Sequence, residues 1–167
     1  MAVVARNPHQ LTVATSIGAT ALGEEQAADW AKEFRPDVVV ETVGGDGGSL
    51  ETAISLARRG ARLVILGSFG TIQMNIGLAM GKELTIIPSS IYGTGRRGQQ
   101  FASAVELLPR WRDALDLLLT HQFPLVDVED AFRVASDKTT GALKVTVTPQ
   151  ASRLSPDRDV SDVSQRA

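Results

Sequence analysis

Three consecutive valines, Val38-Val39-Val40, stand between Asp37 and Thr42, and the run Gly44-Gly45-Asp46-Gly47-Gly48 follows them directly. An unbroken β-branched stretch predicts a strand buried on both faces, because a strand with one wet face alternates apolar and polar residues. A strand, a glycine-rich turn and then a helix, repeated along a chain, limit the fold to a parallel α/β sheet. The rest of the sequence keeps that alternation. Ala2 to Ala5 reads as a strand, and His9 to Ile17 as a helix weakened by its Thr and Val content. Glu24 to Phe34 is a better helix: Ala27, Trp30, Ala31 and Phe34 share a face and acidic residues fill the first turn. After the glycine run, Ser49 is expected to cap a helix with Leu50, Ala53, Ile54 and Ala57 on one stripe, ended by Gly60. Arg62 to Leu66 reads as a second buried strand, and Glu83 to Ser89 as a third, with Pro88 placing it near an edge or a strand end.

A long helical stretch is expected from about Gln99 to His121, with Phe101, Ala104, Val105, Leu108, Leu115 and Leu118 at helical spacing. Pro109 should kink or split it. Val128, Ala131, Phe132 and Ala135 suggest a short last helix, and Leu143 to Val147 a last strand. The reading is one domain over 1–149 and a polar, aperiodic tail over 150–167, expected to be disordered.

Two loops invite a ligand. The Gly44–Gly48 run lies at the carboxyl end of a parallel strand, where open α/β sheets bind ligands, and the amides of the next helix start can face an anion. A tight turn built from glycines explains the same letters, since the run does not match G-x-G-x-x-G. Gly93-Thr94-Gly95-Arg96-Arg97-Gly98 does match. A dinucleotide fingerprint should open a βαβ unit of about 30 residues. A long helical stretch follows instead, which favours a loop with two solvated arginines able to touch a phosphate. Glu41 and Asp46 can be paired as carboxylates, although Glu41 at a buried strand end suits a structural hydrogen-bonding role better.

Composition excludes several classes. The 167 residues carry a net charge of −2, so nothing electrostatic argues for nucleic acid or an anionic membrane. No apolar run reaches the roughly 20 residues needed to span a bilayer. The first residues lack the basic and long apolar regions of a signal peptide, so a cytoplasmic location is the default expectation. There is no cysteine, and His9 and His121 lie far apart, which points to solvated histidines and no metal site.

An ordered set of segments carries a resemblance. It runs from Val3-Val4-Ala5-Arg6 and Ile17-Gly18-Ala19 through Asp37–Gly44, Gly60–Gly67 and Lys82-Glu83-Leu84-Thr85. It continues with Ile91-Tyr92-Gly93, Asp130-Ala131-Phe132 and Thr140–Val145 through Pro149. Together these resemble the C-terminal, cofactor-binding part of the zinc-type medium-chain alcohol dehydrogenases, over about 2–149. The resemblance implies an α/β fold with an incomplete Rossmann-type parallel sheet and flanking helices. It implies that Thr42 and Val43 line the cofactor cleft, that Leu66, Gly67 and Ser68 form the turn beside the nicotinamide, and that Ile91, Tyr92 and Gly93 hold its carboxamide. Lys144 would approach the pyrophosphate. Where NAD-using members carry an acidic residue after the first strand, this chain has Arg6, which suits the 2′-phosphate of NADP.

The family's glycine-rich phosphate loop follows a strand that precedes this chain's first one. The resemblance therefore implies that this central strand, its loop and the N-terminal domain with both zinc sites are not among these 167 residues. The expectations are weak binding of NADP or NAD, NADP preferred, with no catalytic residue and no zinc in this chain. Removing a central strand leaves two unpaired edges that must close on each other or pair with another chain, so a homo-oligomer is expected. The stretch matching Thr71 to Ser89 helps build the family's dimer. The alternative function is a non-catalytic oligomerisation fragment that binds no nucleotide.

Overall fold

The computed structural model describes residues 1–89 and 100–149. In chain order its regular elements are β1 (Ala2–Val4), α1 (Pro8–Ser16), β2 (Thr20–Leu22), α2 (Glu24–Phe34), β3 (Val38–Glu41), α3 (Gly48–Leu56), β4 (Arg62–Ile65), α4 (Ile76–Gly81), β5 (Thr85–Pro88), α5 (Gln100–Asp116), β6 (Leu119–Pro124), α6 (Val128–Ser136) and β7 (Lys144–Thr148). They fall into two compact units. One is Leu22–Pro109; the other joins Met1–Ala21 to the chain from Arg110 onward. The α/β class with parallel strands and flanking helices is as the sequence predicts.

In the Leu22–Pro109 unit, β3, β4 and β5 form a parallel sheet in that order, with Val39 beside Leu63 and Leu63 beside Ile86. Leu50, Ala53 and Ile54 of α3 lie three and four residues apart, so they share one helical face. They bury themselves with Leu63 and Ala79, and Val39, Ile65, Phe69 and Ile86 pack around them. Burying a side chain such as Ile54 or Leu63 contributes about 1.5–3 kcal/mol. Because successive strand residues point to opposite faces, Val39 meets this core while its neighbours point away. Val38 is 48% exposed and Val40 is 51% exposed. The expectation of a strand buried on both faces is thus corrected: among the described residues only one face of β3 is covered.

Local details differ too. The cap of α3 is Gly47, at φ 99°, and not Ser49; the helix stops at Leu56, short of Gly60. Pro88 is the last residue of β5 and β5 is an edge strand, so both roles foreseen for it hold. Strand β2 and helix α4 were not foreseen.

In the other unit β1 pairs with β2, and β6 pairs with β7 in parallel under α6, whose Ala131 is buried. Asn7 caps α1 by accepting the amide of His9 at 2.9 Å, and Pro8 occupies the first helical turn. The predicted helix to His121 ends at Asp116, and Leu119 and His121 belong to β6. Helix α5 continues through Pro109 and buries none of its residues. Its expected stripe keeps helical spacing yet stays in solvent, with Phe101, Val105, Leu108 and Leu115 all exposed.

Candidate functional site

Parallel pairing puts the carboxyl ends of β3 and β4 side by side, with Glu41 next to Ile65. Each strand then turns, one through Thr42 to Gly48 and the other through Leu66 to Phe69. The turns are tied together. The backbone carbonyl of Glu41 accepts the amides of Leu66 at 2.8 Å and Gly67 at 3.2 Å, and Gly45 donates to the Ser68 carbonyl at 2.9 Å. Gly45 also bridges to Phe69 in parallel fashion.

Two glycines make this approach possible. At Gly44, φ is 73° and a Cβ would run into the backbone of Ser68, with Ser68 N at 2.7 Å. At Gly67 a Cβ would meet Glu41 Oε2 and would lie 2.8 Å from Gly44 Cα. Any side chain at either place would force the turns apart.

Under them lies Glu41, 3% exposed and the sole buried charged residue among those described. Its Oε1 accepts the amides of Val43 at 2.7 Å and Gly44 at 3.0 Å. Burial pushes the carboxyl's pKa up, but the Gly44 amide, the Ser49 hydroxyl and the Val43 and Gly67 amides outweigh it and hold the pKa below its ordinary value. Oε2 has no hydrogen-bond partner, and Gly67 stands directly beside it. Asp46 does not pair with Glu41: its Oδ1 accepts the Gly48 amide at 3.1 Å. An acidic side chain therefore already occupies the start of α3, which favours the glycine turn over an anion cradle there.

Above this buried layer the turns present an apolar rim. Val43 is 76% exposed and Leu66 is 53% exposed, flanked by the exposed Thr42 and Ser68. Five of the residues singled out from the sequence, Thr42, Val43, Leu66, Gly67 and Ser68, are thus brought together. Arg6 and Lys144 belong to the other compact unit. Arg6 lies just ahead of α1, and Lys144 opens β7, where its carbonyl accepts the Thr120 hydroxyl at 3.3 Å. Ile91, Tyr92 and Gly93, with the rest of the Gly93–Gly98 loop, fall outside the described residues. The sequence offers Glu41 either as a carboxylate paired with Asp46 or as a structural hydrogen-bonding group at a buried strand end, and the structure has the second. Its signal was a lone acid ending an apolar strand, three residues before a glycine.

Comparison with known proteins agrees with this fold. The family model described as zinc-binding dehydrogenase matches residues 1–110. Sorbitol dehydrogenase of Bacillus subtilis is 28% identical over 151 residues, covering 85% of this chain and 41% of that protein. The crystal structure of L-idonate 5-dehydrogenase from Escherichia coli is 25% identical with a TM-score of 0.70, covering 87% of this chain and 42% of that one. An E. coli alcohol dehydrogenase solved with NADH is 23% identical with a TM-score of 0.70, a likeness of fold, over 87% of this chain and 43% of that one. The chain spans 39–41% of the length of the curated relatives it matches.

Proposed function

Because the chain belongs to the zinc-binding dehydrogenase family, we propose that it is the nicotinamide-dinucleotide-binding segment of an NAD(P)-dependent alcohol or carbonyl oxidoreductase. The observation that carries this reading is the pair of locked turns at the carboxyl ends of β3 and β4, with Val43 and Leu66 exposed above a buried carboxylate. An apolar rim on a rigid backbone suits a flat aromatic ring, and strand carboxyl ends are where open α/β sheets take their ligands. When bound, the dinucleotide supplies the hydride-transferring ring. Thr42, Val43, Leu66, Gly67 and Ser68 would orient that ring and shield one side of it from water. Ile91, Tyr92 and Gly93 would hold its carboxamide, Lys144 would approach the pyrophosphate, and Arg6 the adenosine ribose. Zinc does not fit the residues present. The chain has no cysteine, and among the described residues no three His, Cys, Asp or Glu side chains come together.

Arg6 also decides between the two nicotinamide cofactors. It is exposed, just before an Asn-capped helix start, and its neighbours in the sequence, Ala5 and Asn7, are uncharged. A charge-assisted pair with a 2′-phosphate is worth about 1.5–3 kcal/mol when shielded, or roughly tenfold to hundredfold in affinity. Arg6 already takes part in an interaction within the chain, which the phosphate must displace, so the lower end is expected. Calorimetric titration should show NADPH binding about tenfold tighter than NADH. Arg6→Ala should erase the difference and leave NADH affinity nearly unchanged. Equal affinities, or tighter NADH binding, in the wild type would refute this assignment.

A second reading, self-association, has its own observation. Among the described residues β3 is an edge strand with Val38 and Val40 in solvent, and α5 buries nothing. An open strand edge and an apolar helical stripe are both templates for a second chain. Light scattering at micromolar concentration should report a dimer or larger; a clean monomer would refute this second reading.

A further inference from the structure

Glu41 costs more than packing alone would warrant. An isolated carboxylate is strongly disfavoured on leaving water, and a glutamine or methionine would fill the same space without burying a charge. Half of its acceptor capacity is also unused, since Oε2 is buried and bonds to nothing. What the charge does is geometric. Oε1 gathers the Val43 and Gly44 amides of the first turn. Oε2 fills the space beside Gly67 where a side chain would stand, so the second turn rests against it. The backbone carbonyl of the same residue takes the Leu66 and Gly67 amides. One residue thus touches both turns, through its main chain and through each carboxylate oxygen.

We propose that Glu41 is the positioning residue of the dinucleotide site: its ionised carboxylate sets the spacing and pitch of the two turns that carry Thr42, Val43, Leu66 and Ser68. The proposal rests on the nicotinamide reading above. The groups around the carboxylate are three amides, which only donate, and the Ser49 hydroxyl. Protonation would remove the negative charge that the Val43 and Gly44 amides bond, and so weaken the hold of Oε1 on the first turn. No charged side chain is needed for this. On the elements packed against β3, Glu51 of α3 faces an outer groove with Thr52 and Asn75, and Arg62 begins β4 at the other end of the sheet, beside Val38. Asp46 in the connecting turn is engaged with Gly48.

The pH dependence follows with a definite sign. Glu41's pKa is lowered in the folded chain from an ordinary value of 4.5. A carboxylate of lowered pKa contributes its full stabilisation above the unfolded value and loses it as pH falls through the folded one. The turns should hold at neutral pH and loosen only in acid.

The test is NMR on the full chain. In the wild type, the Glu41 carboxyl carbon should titrate below pH 4.5, and the Val43 and Gly44 amide shifts should follow with the same midpoint. In Glu41→Gln at neutral pH, those two amides should exchange at least about tenfold faster while Leu63 in β4 stays protected. NADH titrated into the same samples should bind the variant about tenfold more weakly. Should the variant fail to fold, the wild-type titration decides alone. A Glu41 that titrates at or above its ordinary value, or amides that ignore it, overturns the proposal. Coupled amides with no NADH binding by the wild type at millimolar concentration overturn the cofactor reading instead, and reduce Glu41 to a tie between loops.

Discussion

Alanine at Gly44 is expected to destabilise the Leu22–Pro109 unit by about 3–5 kcal/mol, near the limit of what a domain tolerates. Two costs add. A residue with a side chain held at φ 73° costs roughly 1–3 kcal/mol. The new Cβ also presses on the backbone of Ser68, and a backbone cannot swing aside as a flexible side chain can, which adds about 1–3 kcal/mol. Gly45 supplies the control. Its φ is 89°, yet nothing lies within 4 Å of a Cβ there, so Gly45→Ala should show the conformational cost alone. Thermal and urea unfolding should place Gly44→Ala well below Gly45→Ala, by about 5–10 °C in midpoint. Equal midpoints for the two variants would mean that the turns do not touch as described.

Lys82→Met should cost about 3 kcal/mol, although the lysine lies far in sequence from the helix it serves. Its ammonium donates to the carbonyls of Ile54 at 2.9 Å, Ser55 at 2.6 Å and Ala57 at 2.8 Å. The last carbonyls of a helix have no partner within it, and a cation there also meets the negative end of the helix dipole. Three donors on one tetrahedral nitrogen suit three converging carbonyls. Methionine fills the volume but leaves those carbonyls unmet, which explains the size of the expected loss. Arginine, whose donors lie in a plane, should recover only part of it. Chemical denaturation followed by Trp30 fluorescence measures the effect, and a loss under about 1 kcal/mol would show that water serves the carbonyls equally well.

The elements that could be read along the chain are those whose cause is local. The bounds of α2 were foreseen to the residue, because an acidic first turn and an apolar face at helical spacing act within a few residues of one another. Pro88 announced a strand end because it lacks an amide to offer a neighbour. Half of the expected site residues were brought together because strand carboxyl ends in a parallel sheet must lie side by side.

Other features depend on groups distant in sequence. The valines of β3 look equivalent on the page, and Val39 differs from Val38 and Val40 only because α3 covers one face of the sheet and nothing described covers the other. Leu119 to His121 continue a helical pattern but join a strand, since β7 offers them a ladder of backbone hydrogen bonds. Ser49 is a better cap than glycine by type, yet Gly47 takes the position because the chain enters α3 at a positive φ. Glu41 is the clearest case. The Val43 and Gly44 amides that lower its pKa are close in the chain, but its contact with the second turn comes through Gly67, brought near by the sheet. Short-range periodicity and backbone preference write themselves into the order of residues. Burial, close approach and the charge state of a buried group depend on what stands opposite, and that is set when the sheet and helices pack.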